Sequence, residues 1–265
     1  MAGPPHEPDA QDRTLRQVSP APISPHALLR SALRRDGSRP LLTSYDEGSG
    51  ERVELSVATF DNWVAKTAGL LRDGLEAGPG TRVALLLPAH WQALVWASAC
   101  WAGGCCAVLG RALDADVVVT GPAGVEAATG VGAEHVVALS LLPWGVPFRD
   151  PLPTGVLDYA LEAPAQPDRF VPYGPDEPAE PAVDAGGTLH TLGGLVELAR
   201  DRAASSGLAD GVRLLRRADD LDLGVLLDLL LVPLVTDGSA VLVRGPADDA
   251  RVSRLAETER VDRVL

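Results

Sequence analysis

Few residues of this chain could do chemistry, and they lie far apart. Cys100, Cys105 and Cys106 are its three cysteines, and a cysteine attacks or binds metal only as a thiolate. All three sit in the most apolar stretch. Cys105 and Cys106 are adjacent and point to opposite faces of a strand, and no further cysteine or histidine group stands at zinc-ligand spacing. Reduced, space-filling thiols are the reading, with a reactive thiol at Cys105 as the alternative. His90 and His190 are lone histidines with no carboxylate partner identifiable from the sequence, so no catalytic triad can be assembled. Lys66 is the only lysine and falls on a predicted helix. No catalytic residue and no metal site is assigned. The nearest approach to a basic cluster, Arg213 with Arg216 and Arg217, precedes an acidic run and reads as a solvated face.

The elements that would position these residues are arranged around Thr81 to Gly110. Val83 to Leu87 is strand-like and ends at Pro88, because proline cannot donate to a sheet ladder. Trp91, Leu94, Val95, Ser98 and Trp101 recur at helical spacing, Gly103-Gly104 ends that helix, and Cys105 to Leu109 is a second buried strand. This strand–helix–strand unit is the building block of a parallel sheet. The same run is uncharged and longer than the ~20 residues that a membrane helix needs. Pro88, His90, Gln92 and the glycine pair break it into shorter pieces, which favours burial on both faces of a sheet over membrane insertion.

Upstream, Ser24-Pro25 starts a helix, Pro40 to Tyr45 and Arg52 to Leu55 flank a turn-rich hairpin linker, and Ser56 caps a second helix. Downstream, Asp116 to Thr120 and His135 to Leu139 are strands around a weak helix at Gly121 to Gly132. Prolines recur from Pro143 to Pro181 and predict mostly irregular chain. Beyond lie a helix at Leu192 to Ala204 and a strand at Arg213 to Arg216. An apolar helix follows at Leu221 to Leu231 and continues poorly into Pro233, then a strand at Ala240 to Val243, a charged helix at Asp248 to Glu259, and a strand beginning near Val264. The pattern predicts an α/β fold with mostly parallel strands. It divides into a disordered tail at 1–24, a first lobe at 25–170 and a second, incomplete lobe at 171–265.

The formal net charge of −13 over 265 residues argues against a nucleic-acid or acidic-membrane surface. MAGPPHEPDAQDRTLRQ holds no apolar signal core, and unpaired cysteines suit a reducing compartment, so a cytoplasmic location is expected. The abundance of alanine, arginine, glycine and proline, with a single lysine, is that of a high-GC bacterial genome.

An opening hairpin leads to a helix and then to Gly78-Pro79-Gly80-Thr81-Arg82-Val83-Ala84, followed by LLLPAHWQALVWASACWAGG. In this order of features the chain resembles the N-terminal domain of the AMP-binding, acyl-adenylate-forming synthetases. The first motif is similar to the family's G-x-G-D-R-V-A, with Thr81 where aspartate is usual. The second is similar to its LLPN strand and following helix, and Asp219 to Val243 resembles its helix leading to "PL…G…V". The resemblance implies two mostly parallel-sheet lobes and, in a full family member, ATP and magnesium. It also implies a phosphate loop, T-S-G-T-T-G-x-P-K-G. Counted back without gaps from Thr191-Leu192-Gly193-Gly194-Leu195, which resembles T-H-x-x-L, that loop falls on Pro178 to Gly187 and reads PAEPAVDAGG. A phosphate loop works through backbone N–H groups, hydroxyls and a cation. Here Pro178 and Pro181 remove donors, no hydroxyl remains, Gly186 stands in the lysine's place, and Glu180 and Asp184 add negative charge. Only Gly187 matches, and the segment reads as an acidic proline-rich loop.

The resemblance therefore implies a truncated relative with a degenerate phosphate loop at Glu180, Asp184, Gly186, Gly187 and Thr191. Its expected function is that of a catalytically inactive binding or regulatory partner, with ATP and magnesium not bound. The alternative is a nucleotide or acyl-group binder that uses the Gly186-Gly187 turn or Cys105. Leu223, Leu226, Leu227, Leu230 and Leu231 recur at helical spacing with few charges between them, and Val264-Leu265 begins an open sheet edge. Both features predict a homodimer or a protein partner joined through the second lobe.

Overall fold

The computed structural model describes residues 24–112, 114–142 and 145–265. Of the tail expected at residues 1–24, all but Ser24 lies outside the described residues, as does the Pro143-Trp144 punctuation. Ser24 caps helix α1 (Pro25–Asp36), its Oγ accepting from the Ala27 N–H at 3.0 Å. Strands β1 (Pro40–Asp46) and β2 (Glu51–Ser56) form the predicted hairpin, and Ser56 caps α2 (Val57–Gly69). Next come β3 (Arg82–Leu86), α3 (Trp91–Gly103), β4 (Cys106–Leu109), β5 (Val117–Thr120), α4 (Val125–Thr129) and β6 (His135–Ala138).

The proline-rich stretch is more regular than its composition predicts. It contains β7 (Val156–Asp158) and α5 (Tyr159–Glu162), and then β8 (Pro181–Ala185) and β9 (Thr188–Thr191) follow directly. Pro181 is tolerated as the first residue of its strand, where a missing N–H costs least. Four further helical and three strand segments follow: α6 (Leu192–Ser205), β10 (Arg213–Arg217), α7 (Leu223–Leu226), α8 (Val232–Val235), β11 (Ser239–Arg244), α9 (Asp249–Thr258) and β12 (Arg263–Val264). A π turn at Leu227–Leu231 joins α7 to α8, the Val232 N–H reaching back to the Leu227 carbonyl. This shift of hydrogen-bond register carries the helix past Pro233, where the sequence predicts a poor continuation.

The strands form two mostly parallel sheets. One has the order β12-β10-β11-β1-β2, the other β7-β6-β5-β3-β4-β8-β9. Sheet membership does not follow the division at residue 170: the β1–β2 hairpin joins the sheet of β10 to β12, while β8 and β9 join that of β3 to β7. The long-range parallel pairing of β1 with β11, Leu42 opposite Ala240 through Asp46 opposite Arg244, closes the chain on itself.

Helix α3 is the centre of the packing. All thirteen of its residues are buried, which accounts for an uncharged run in a helix too short to span a membrane. No helix among the described residues is long and apolar enough to cross one. Two sequence expectations change here. The leucines expected to be uncovered are buried within the chain: Leu226, Leu230 and Leu231 are at most 1% exposed, and Leu227 lies in the same core. Of the three arginines read as a solvated face, Arg217 is exposed but the other two are engaged with carboxylates inside the fold. Arg216 joins Arg202 on the buried carboxylate of Asp228, and Arg213 donates to Glu259, Thr43 and Ser239. Sequence spacing alone did not show these partners, because Asp228 and Glu259 follow their arginines by 12 and 46 residues and are brought back to them by the fold.

Candidate functional site

Asp184, Gly186 and Gly187 come together in a tight hairpin. Ala185 pairs with Thr188, leaving Gly186 and Gly187 as the two turn residues, with φ of +62° and +93°. Two consecutive positive φ values are what a type I′ turn requires, and glycine supplies them without strain. The segment read as an acidic proline-rich loop is thus a buried strand and a two-residue turn, too short to wrap a triphosphate.

Asp184 lies opposite Val108 of β4, and Val108 lies opposite Ala84 of β3, so the three share one face of the sheet. Arg82, two residues before Ala84, is on that face too. Its Nη2 donates to Asp184 Oδ2 at 2.8 Å, Arg111 Nη2 donates to the same oxygen at 2.7 Å, and the Gly187 N–H donates to Oδ1 at 2.9 Å. The hydrogen bond from Arg82, joined by those from Arg111 and Gly187, holds the carboxyl below the usual carboxylate range despite its burial. Two guanidinium groups and a turn N–H converging on an anion are the donors of an oxyanion site. The anion they hold is the chain's own carboxylate.

The other candidate residues do other work. The Thr191 Oγ1 accepts from the Gly194 N–H at 3.1 Å and caps α6. Glu180 lies before the far end of β8, where its carbonyl accepts from the Leu192 N–H. It lines a cavity of about 260 Å³ against the end of α3, with Trp101, Gly103, Tyr173 and Asp176. Gly186 is exposed at the turn. His190 is half-buried on β9 and joins no cluster with a cysteine or carboxylate that could hold a metal, nor does any such group exist among the described residues. Burial pushes the Cys105 thiol up to about 12 and raises Cys100 and Cys106 as well, so none of the three is a ready thiolate at neutral pH.

Open α/β sheets usually bind ligands at the carboxyl ends of the strands, where the strand order reverses. Here the chain steps from β3 to β4 on one side and then to β5 on the other, which places that crevice beyond Leu86 and Thr120. At its floor Gly121 is closely packed by Leu141. A β-carbon at Gly121 would lie 3.0 Å from Leu141 Cδ1 and 4.0 Å from Pro88 Cδ.

His90 follows Pro88 and does have a carboxylate partner, contrary to the sequence reading. Its Nε2 lies 3.9 Å from Glu51 Oε2 across the junction of the two sheets, and its Nδ1 accepts from the Gln92 N–H at 3.3 Å to cap α3. The Ala89 N–H donates to the Asp219 carbonyl at 2.9 Å, so this loop also ties the sheets together. Arg82, Arg111 and Glu51 are the residues that sequence reasoning missed. Only the strand register and sheet order reveal them.

The residues present do not fit a nucleotide triphosphate: the donors at the hairpin are already committed to Asp184, and an added phosphate would meet its charge.

No family model matches the chain. Among solved structures, it is similar to an acyl-CoA synthetase from Brucella canis, with a TM-score of 0.75 and 18% identity over 91% of this chain and 47% of that one. It is also similar to the N-terminal domain of FACL13 from Mycobacterium tuberculosis, with a TM-score of 0.68 and 17% identity over 90% of this chain and 61% of that one. A third similar structure is acetoacetyl-CoA synthetase from Streptomyces lividans, with a TM-score of 0.73 and 19% identity over 91% and 42%. The chain spans about half the length of these structures and has the fold of the N-terminal domain of adenylate-forming synthetases. Among curated proteins, a TIGR03089 family protein of Mycobacterium tuberculosis strain H37Rv is 40% identical over 248 residues, covering 90% of this chain and 96% of that protein. By that extent of identity the chain belongs to the TIGR03089 family.

Proposed function

We propose that this protein keeps the synthetase fold without its adenylation chemistry and acts by binding, as a regulatory or scaffolding partner in the cytoplasm. One observation carries the reading: the Asp184 carboxylate sits among Arg82, Arg111 and the Gly187 N–H, at the hairpin that the phosphate loop would occupy. Catalysis of phosphoryl or adenylyl transfer depends on donors free to meet charge as it develops, and these donors are engaged in the resting protein. The alternative, a nucleotide or acyl-group binder that uses the Gly186-Gly187 turn or Cys105, has less support. The Gly187 N–H is taken by Asp184 and the Cys105 thiol is buried and protonated.

The test is pyrophosphate exchange with ATP across a panel of carboxylic acids, together with calorimetric titration of ATP, AMP and acyl-CoA. We expect neither acid-dependent exchange nor saturable nucleotide heat. Replacing Ala185 by Pro and Gly186 by Lys is expected not to restore exchange, because substitution cannot lengthen a two-residue turn. Acid-dependent exchange by the wild-type protein would overturn the reading.

A further inference from the structure

We propose that strand β9 is a self-association edge, at which a second copy of this chain adds its own β9 antiparallel across a two-fold axis. Among the described residues the sheets have four edges. Strand β2 carries Glu51, Arg52 and Glu54, β12 is two residues long and carries Arg263, and β7 ends in Asp158. Charges and short length are the usual means of keeping an edge from pairing. Strand β9, Thr188-Leu189-His190-Thr191, has no formally charged residue, and its Leu189 is 53% exposed.

The turn decides which groups face outward. In a two-residue hairpin the flanking residues, here Ala185 and Thr188, exchange both hydrogen bonds, so the next pair, Asp184 and Leu189, turns its N–H and C=O groups away from each other. The Leu189 N–H and C=O therefore face the open edge, and no backbone bond outside the ladder reaches them among the described residues.

A second copy fits this edge better than a partner of another kind. With the dyad at Leu189, each Leu189 exchanges N–H···O=C bonds with its symmetry mate, and the two half-exposed leucines pack on one face. Such an isologous contact is self-complementary. Each chain carries a formal net charge of −13, so a seam between copies must avoid setting like charges opposite one another, and β9 is the edge that does so. A basic partner, by contrast, would be steered toward the acidic surface. The helix leaving β9 also exposes Leu198.

The proposal rests on the binding reading for its biological sense, but its test involves no nucleotide, so the two can fail separately. Sedimentation equilibrium of the full chain from low micromolar to near-millimolar concentration should show a concentration-dependent dimer. Leu189→Lys should weaken it by about tenfold or more, with an unchanged thermal melt showing that the variant folds. Val264→Lys, at the β12 edge, should leave it intact. A nitroxide at Leu189→Cys should show short-range dipolar broadening in the dimer, the native thiols being buried. A strict monomer across the range, a dimer insensitive to Leu189→Lys, or one abolished by Val264→Lys would each overturn the proposal.

Discussion

Arg111 reaches Asp184 from beyond the end of β4: its Nη2 lies 2.7 Å from the carboxylate oxygen that also accepts from Arg82 at 2.8 Å. This pairing makes the hairpin a self-occupied anion site rather than an empty one. Asp184→Ala should leave both guanidinium groups without their partner and destabilise the fold by about 1–2 kcal/mol, since the carboxylate is buried while the arginines are partly solvated. The same variant should gain inorganic phosphate binding, seen as a phosphate-dependent rise in melting temperature absent from the wild type. A melt equally insensitive to phosphate in both proteins would mean that the arginines do not form an anion site.

The three thiols should be inert in the folded protein. Burial raises Cys100, Cys105 and Cys106, Cys105 to about 12, and a thiolate is the reactive form. A chromogenic disulfide reagent at neutral pH should find no fast-reacting thiol in the native state and all three after unfolding. Rapid stoichiometric labelling of the native protein would bring Cys105 back as a nucleophile.

The fold was largely legible in the sequence because its elements are written locally. Ser24, Ser56 and Asp248 each cap the helix that they precede, and Gly104 ends α3 at a φ of +76°. The exceptions, β7 to β9, are short strands in a proline-rich context, identified by their partners rather than by their own periodicity. The candidate site was only half legible. Gapless counting placed Asp184 and Gly187 in one segment, but Arg82 lies 102 residues from Asp184 in sequence, and only the order β3-β4-β8 brings them together. His90 and Glu51 meet for the same kind of reason, across two sheets.

Lys66, the only lysine, fastens the segment that leaves α5. Its Nζ donates to the Pro164 and Gln166 carbonyls at 3.2 and 2.8 Å and pairs with Asp168 at 2.7 Å. Lys66→Met keeps the apolar stem and removes all three contacts. It should speed amide exchange and proteolysis selectively within residues 163–170, with little change elsewhere. Uniform loosening of the whole chain would show that the lysine supports the core instead.

His90 should make stability depend on pH in a window where carboxylates are silent. The side chain is 2% exposed, and burial, only partly opposed by the nearby Glu51 carboxylate, depresses its pKa below the ordinary 6.5. Arg244 adds to the depression, while Asp46 works against it. The cap requires a neutral ring, because Nδ1 must accept from the Gln92 N–H. Above about 6.5 neither the folded nor the unfolded state carries the proton, and the stabilisation is complete. As pH falls below that value the unfolded chain takes up a proton that the folded chain refuses, so stability declines until the folded pKa is reached. The decline has a limiting slope of about 1.4 kcal/mol per pH unit. His90→Asn keeps a good N-cap without a titrating group. Urea unfolding from pH 7.5 to 5 should show the wild type losing stability more steeply than the variant. Parallel curves would mean that His90 titrates alike in both states, and its place at the junction of the sheets would then have no bearing on acid stability.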